Sequence, residues 1–137
     1  MPALNFQRRF APKIKTGEKR QTIRAPRKHP VKVGDTLHLF TGMRRAGCER
    51  IGKSICIGTQ QIILSALGED RRVNICDPMM RAVDGEQLAR LDGFQSEKEM
   101  FNWFEETHGL PFMGTLITWG ELENTKRSQP AKETNEG

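Results

Sequence analysis

The chain has 137 residues, of which 36% are hydrophobic and 28% are charged. This length fits one domain and is too short for two ordinary ones. No apolar run approaches the roughly 20 residues that a membrane-spanning helix needs. The first residues lack the basic start and apolar middle of a secretory signal, so a cytoplasmic location without a membrane partner is expected.

The net charge of +5 is unevenly distributed along the chain. Residues 1–53 hold 14 Lys and Arg against three acidic residues, whereas residues 54–137 hold 8 against 14. A clustered basic face is typical of proteins that bind phosphate-bearing partners, although it can also be a solvated surface. The basic N-terminal third is therefore the first candidate for binding RNA or a nucleotide.

The N-terminal elements follow from local signals. Ala3–Phe6 alternates and predicts a strand. Residues 8–16 predict a short helix, because Pro12 suits a first turn and Gly17 suits the end. A second strand is predicted at Gln21–Arg24, and the two prolines of residues 25–30 predict an extended basic loop.

The middle of the chain predicts several further strands. Residues 36–40 alternate and predict a strand, and residues 41–50, with two glycines and three arginines, predict a mobile loop. Residues 51–57, 61–67 and 71–75 predict three strands that are separated at Gly58 and at Gly68-Glu69-Asp70.

The last third predicts two helices and a closing strand. Residues 84–91 predict one helix, and Ser96 with Glu99 has the form of a capping box for another. The apolar stripe of this second helix is expected in the core and comprises Met100, Phe101, Trp103, Phe104 and Thr107. Residues 115–119 predict the final strand. These elements predict an α+β, mainly β domain over residues 1–122, a mostly antiparallel barrel with short helices beside it. Residues 123–137 are expected to be a disordered polar tail.

The stretch Gly17 to Arg24 brings three polar groups together. On a strand, Thr22 and Arg24 point to the same face, and Lys19 in the preceding turn can reach over it. A cation, a hydroxyl and a guanidinium suit a phosphate or a base edge. They also suit nucleophilic catalysis, in which a desolvated lysine deprotonates a threonine. An ordinary surface lysine beside an ordinary strand threonine has the same spacing.

Taken in order, these motifs resemble the ASCH domain family over roughly residues 4–119. The resemblance rests on the first strand and helix, on Gly17-x-Lys19-x-x-Thr22-x-Arg24, on Val33-Gly34-Asp35, and on the later Gly93-Phe94 and Trp103-Phe104 pairs. It implies a PUA-like barrel with a cleft that faces the first helix. It also implies a role in RNA binding, RNA metabolism or nucleoside chemistry.

One branch of that family consists of small bacterial amidohydrolases that remove the acyl group from N4-acetylcytidine. By this resemblance Lys19 is the proton acceptor, Thr22 is the nucleophile and Asp92 is the proton donor. The family enzymes have a glutamate where Asp92 stands, and an aspartate is one methylene shorter, so Glu86 is retained as a substitute acid.

A binding role remains the alternative, either as a non-catalytic RNA-binding module or as a ribonuclease that uses the same basic cleft. No metal site is expected, because the three cysteines lack C-x-x-C spacing and no histidine has a second ligand nearby. No other cofactor is expected, and the oligomeric state is left open. The residues predicted to bind substrate or RNA are Arg9, Arg24, Arg27, Lys28, Arg44, Arg45 and Lys53.

Overall fold

The chain is mainly β, with short helices beside a mixed sheet. The computed structural model describes residues 2–43, 46–76 and 79–123. The strands are β1 (Ala3–Phe6), β2 (Gln21–Arg24), β3 (Thr36–Thr41), β4 (Glu49–Leu67), β5 (Asp70–Ile75), β6 (Arg81–Val83) and β7 (Phe112–Trp119). The helices are α1 (Ala11–Thr16), which follows a 3-10 turn at Arg8–Phe10, α2 (Gly85–Leu91) and α3 (Glu97–His108).

The long strand β4 organises the sheet. Its first half pairs antiparallel with β3, which in turn pairs with β1 in parallel. Its second half pairs with β7 and with β5, and residues 62–64 contact both, so these two partners lie on opposite edges of β4. β2 extends the sheet beyond β7, and β6 extends it beyond β5.

Strand pairing does not close this sheet, so the expected barrel is not confirmed. In the described part of the chain, β1 pairs only with β3, and β2 pairs only with β7. The Arg24 guanidinium nitrogen Nη2 instead donates a hydrogen bond of 2.7 Å to the carbonyl oxygen of Asn5, and so joins β2 to β1. A side chain therefore links these strands where a barrel would have a backbone ladder.

Two sequence predictions in the middle of the chain were wrong. β4 runs without a break through Gly58, where the pairing register with β7 shifts between Cys56 and Gly58 but the strand does not end. Residues 49 and 50, assigned to a mobile loop, already belong to β4. The short edge strand β6 was missed, since its three residues are too few to show an alternating pattern.

The core lies between the inner face of the sheet and the helices. Leu37 and Leu39 of β3 are fully buried, as are the alternate residues Ile62 and Leu64 of β4. The predicted apolar stripe of α3 contributes Met100, Phe101 and Phe104, and α1 contributes Ile14. Among the described residues, none of the helices combines the length and the hydrophobicity that a membrane span requires.

The start of α3 matches the predicted capping box in one of its two bonds. The Ser96 hydroxyl accepts a hydrogen bond of 3.1 Å from the Glu99 backbone N–H. The Glu99 carboxylate accepts from the backbone N–H of Gln95, at 2.7 Å, one residue earlier than the reciprocal bond of a capping box.

Replacing Ser96 by alanine is expected to lower the free energy of unfolding by about 1 kcal/mol, because one N-terminal backbone donor of α3 loses its acceptor. Urea denaturation of the wild type and Ser96→Ala measures the difference. Glu106→Ala, on the exposed face of the same helix, is the control and should change stability by less than about 0.5 kcal/mol. Equal effects of the two substitutions would contradict a capping role.

Candidate active site

A cleft of about 710 Å³ opens beside strands β1 and β2. If the cleft lay on one face of a strand, only every second residue of that strand would line it. Consecutive residues of β1 and of β2 line the cleft, so it lies at the edges of these strands, where the sheet is not closed. The lining comprises residues 3–7, Phe10, Lys19, residues 22–25, Arg27, Met43, Asp92, Phe94, Trp103, Phe104 and His108.

Lys19 is buried on the cleft wall, with only 1% of its surface exposed. Gly17 ends α1 in the left-handed conformation, at φ 88°, and the Lys19 backbone N–H then donates to the carbonyl of Lys13. The Lys19 ammonium donates to the backbone carbonyls of Asp92 and Gln21. This turn therefore directs the lysine inward, away from water.

Asp92 faces Lys19 from the other side. It is the C-cap residue of α2, and its side-chain oxygen Oδ2 lies 3.7 Å from Lys19 Nζ. The other carboxylate oxygen, Oδ1, is buried and has no hydrogen-bond partner among the described residues. The two residues form a buried ion pair, and the Gln21 side-chain amide lies close enough to Asp92 to lower the pKa of its carboxyl.

Burial shifts both members of this pair towards their neutral forms. Burial lowers the pKa of Lys19 to about 8, against the opposing effect of the Asp92 charge. Burial raises the pKa of Asp92 to about 6, against the opposing charges of Lys19 and Arg24. Each group therefore changes protonation close to neutral pH, which is typical of proton-transfer sites.

Thr22 and Arg24 lie on β2 at the same cleft. The Thr22 hydroxyl is buried and accepts a hydrogen bond of 3.1 Å from Arg24 Nε, which leaves its own proton free to be donated. The Arg24 guanidinium lies 4.7 Å from the centre of the Phe6 ring. Burial lowers the pKa of Arg24 to about 10, so the residue stays cationic at neutral pH.

The described hydrogen bonds do not join Lys19 to Thr22. The lysine ammonium is held by two carbonyls, and the threonine is held by Arg24. The predicted base and nucleophile share the cleft without direct contact in this structure.

A chain of aromatic rings leads from the buried lysine towards solvent. The Lys19 ammonium lies 5.0 Å from the centre of the Phe10 ring, which packs edge-on against Phe94 at 5.4 Å. Phe94 contacts Trp103, which contacts the exposed His108. Trp103 was predicted to lie in the core together with the rest of the α3 stripe. It is partly buried, packs against the core and also lines the cleft, because helical periodicity alone does not separate a cleft wall from a core.

The other predicted binding residues are dispersed. Arg27 lines the cleft, whereas Lys28 is exposed outside its lining. Arg9 pairs with Glu99 at 2.7 Å, and Lys53 pairs with Glu123 at 3.4 Å; neither lines the cleft. Arg44 and Arg45, like residues 124–137 of the predicted tail, lie outside the described residues.

Glu86, the substitute acid, lies away from Lys19. Its carboxylate pairs with Arg90 at 3.1 Å and accepts from the Glu97 backbone N–H. It lines a separate shallow groove beside α2. Because Asp92 faces Lys19 and Glu86 faces Arg90, Asp92 is favoured over Glu86 as the partner of Lys19.

The described residues contain no group of three or more His, Cys, Asp or Glu side chains that could hold a metal ion. Comparison of the chain with protein-family models, with curated proteins and with solved structures gives no significant match. The ASCH assignment therefore rests on the motifs of this chain alone and stays a prediction.

Proposed function

We propose that this chain is an ASCH-like hydrolase that removes the acyl group from N4-acetylcytidine or a similar N4-acylated cytosine nucleoside. The observation that carries the proposal is the buried Lys19–Asp92 pair, which lines the same open cleft as Thr22 and several aromatic rings. A base can stack on such rings. The proposal includes the fold, with the sheet as a PUA-like barrel left open at β1 and β2.

The proposed reaction uses the two groups in sequence. Thr22 Oγ1 attacks the acyl carbonyl carbon while Lys19 Nζ accepts the hydroxyl proton. The C–N4 bond then breaks, Asp92 donates its proton to N4, and cytidine leaves. Water hydrolyses the remaining threonine ester to a free carboxylic acid and restores the hydroxyl. The Arg24 guanidinium stabilises the negative oxygen that develops on the acyl carbonyl.

Substrate binding must rearrange the lysine for this reaction. Lys19 Nζ has to leave one carbonyl partner and reach Thr22 Oγ1, and hydrogen bonds of this kind often tighten only in the complex. The unused Oδ1 atom of Asp92 is available to donate a proton when the carboxyl is protonated.

Substitutions at Thr22 test the nucleophile. Thr22→Val keeps the side-chain shape but removes the hydroxyl, and is expected to abolish cytidine release from N4-acetylcytidine. Thr22→Ser keeps the hydroxyl and should retain measurable activity. Cytidine release is followed by chromatography of the reaction mixture. Activity of Thr22→Val comparable to that of the wild type would exclude Thr22 as the nucleophile.

The pH dependence of hydrolysis should be bell-shaped. The reacting state is a neutral Lys19 beside a protonated Asp92, in which the pair holds one titratable proton. The ion pair holds the same number of protons, so both forms occur in the same pH range. Below about pH 6 both groups are protonated and no base remains, whereas above about pH 8 both are deprotonated and no acid remains. A kcat/KM that rises continuously to pH 10 would contradict this assignment.

A non-catalytic RNA-binding module is the second candidate. It is favoured by the contacts of Lys19, whose ammonium is held by carbonyls as a structural lysine would be. This candidate predicts RNA affinity that falls steeply with salt and no cytidine release. Degradation of RNA that Lys19→Ala abolishes would point to the ribonuclease alternative. Degradation that survives both Lys19→Ala and Lys53→Ala would indicate contamination.

A further inference from the structure

The cleft carries an excess of positive charge. Lys19, Arg24 and Arg27 line it, and Asp92 is the one carboxylate among its described lining residues. Asp92 partly balances Lys19, to which it is paired at 3.7 Å. No carboxylate of the described residues lies within ion-pair distance of either arginine, although the Asp92 charge also acts on Arg24.

The two arginines differ in what their guanidinium groups do. Arg24 is occupied, because its nitrogens donate to Thr22 Oγ1 and to the Asn5 carbonyl. Arg27 is exposed, and its side chain makes no hydrogen bond or ion pair with another described residue. Its charge acts on Arg24, so two like charges lie near each other at the cleft. An anion bound beside Arg27 would relieve this repulsion.

The size of the cleft leaves room for such an anion next to a bound nucleoside. Its volume of about 710 Å³ falls within the range of small-molecule sites. Aromatic rings line the cleft, which suits a base, and the Arg24 guanidinium packs against one of them, Phe6, at 4.7 Å. Arg27, which also lines the cleft, lies three residues beyond Arg24 along the chain. A guanidinium in this position is suited to bidentate contact with a phosphate.

We propose that the preferred ligand is a cytosine nucleotide that carries a phosphate on its ribose, and that Arg27 binds this phosphate. The inference rests on the proposed function for the placement of the base in the cleft. It makes Arg27 a specificity-determining residue that distinguishes nucleotides from nucleosides.

Binding of reaction products to the full chain tests this inference without relying on catalysis. Calorimetry should show that cytidine 5′-monophosphate binds about 10- to 100-fold more tightly than cytidine, as expected for a charge-assisted contact. A cytidylyl dinucleotide, whose phosphate is a diester, distinguishes an RNA ligand from a free nucleotide. Tighter binding of the dinucleotide than of the monophosphate would contradict the free nucleotide as the preferred ligand.

Arg27→Gln should reduce the preference for the monophosphate to no more than a few-fold. Lys32→Gln removes the same charge from an exposed position in the same loop, outside the cleft, and should keep the preference. Equal affinities for cytidine and its monophosphate, absence of monophosphate binding, or a preference that survives Arg27→Gln would overturn the inference. A preference for the monophosphate without hydrolysis of any acylated substrate would contradict only the proposed reaction.

Discussion

Replacing Lys19 by methionine is expected to lower kcat/KM for N4-acetylcytidine by about 100- to 10,000-fold, the usual contribution of a general base. Methionine resembles the lysine stem in length and packs well beside the Phe6 and Phe10 rings. The shape of the cleft should therefore be retained while the proton acceptor is lost. Steady-state kinetics measure the effect, and circular dichroism checks that the variant is folded.

Lys13→Met is the matched control for this substitution. The Lys13 ammonium donates a hydrogen bond of 2.9 Å to the Gly93 carbonyl, next to Asp92, but the residue does not line the cleft. Lys13→Met removes one cation and one hydrogen bond to the Asp92–Gly93 segment, but it leaves the proposed base, Lys19, in place. We therefore expect kcat/KM to change by no more than a few-fold. Comparable losses in both variants would mean that Lys19 acts by holding the loop.

Gly93→Ala is expected to lower the free energy of unfolding by about 2 to 5 kcal/mol. Gly93 has a φ of 101°, where a side chain is strained by about 1–2 kcal/mol. Its added Cβ would lie 2.7 Å from Phe10 Cδ1 and 3.1 Å from Lys19 Cδ, which forces the core to shift at a further cost of about 1–3 kcal/mol. Urea denaturation gives the difference.

Gly34→Ala separates the two contributions. Gly34 has a similar φ of 97°, but nothing lies within 4 Å of an added Cβ. This variant should therefore lose only the backbone part, about 1–2 kcal/mol. If Gly34→Ala is as destabilising as Gly93→Ala, the close packing of Gly93 against Phe10 and Lys19 contributes nothing to stability.

Local signals in the sequence predicted much of the fold. Pro12 and Gly17 bound the first helix, Ser96 marks the start of α3, and the strands predicted at Ala3–Phe6 and Gln21–Arg24 have the observed bounds. Barrel closure depends on contacts between strands that are distant in sequence, and no local pattern reports it.

The difference between neighbouring and distant residues also decided which parts of the site could be predicted. Lys19, Thr22 and Arg24 are close in sequence, so strand geometry sufficed to group them. Asp92 is 73 residues from Lys19 and was proposed only through the family resemblance. Trp103 was assigned to the core because apolar periodicity is the same for a buried wall and for a cleft wall.

Release of cytidine from N4-acetylcytidine by the pure chain tests the central claim most directly. The wild type is expected to release cytidine well above the buffer background at pH 7, between the two shifted pKa values of the Lys19–Asp92 pair. Lys19→Met, assayed in parallel, should release cytidine at least about 100-fold more slowly. No release by a folded wild-type chain, or equal release by the variant, would contradict a hydrolytic site in this cleft.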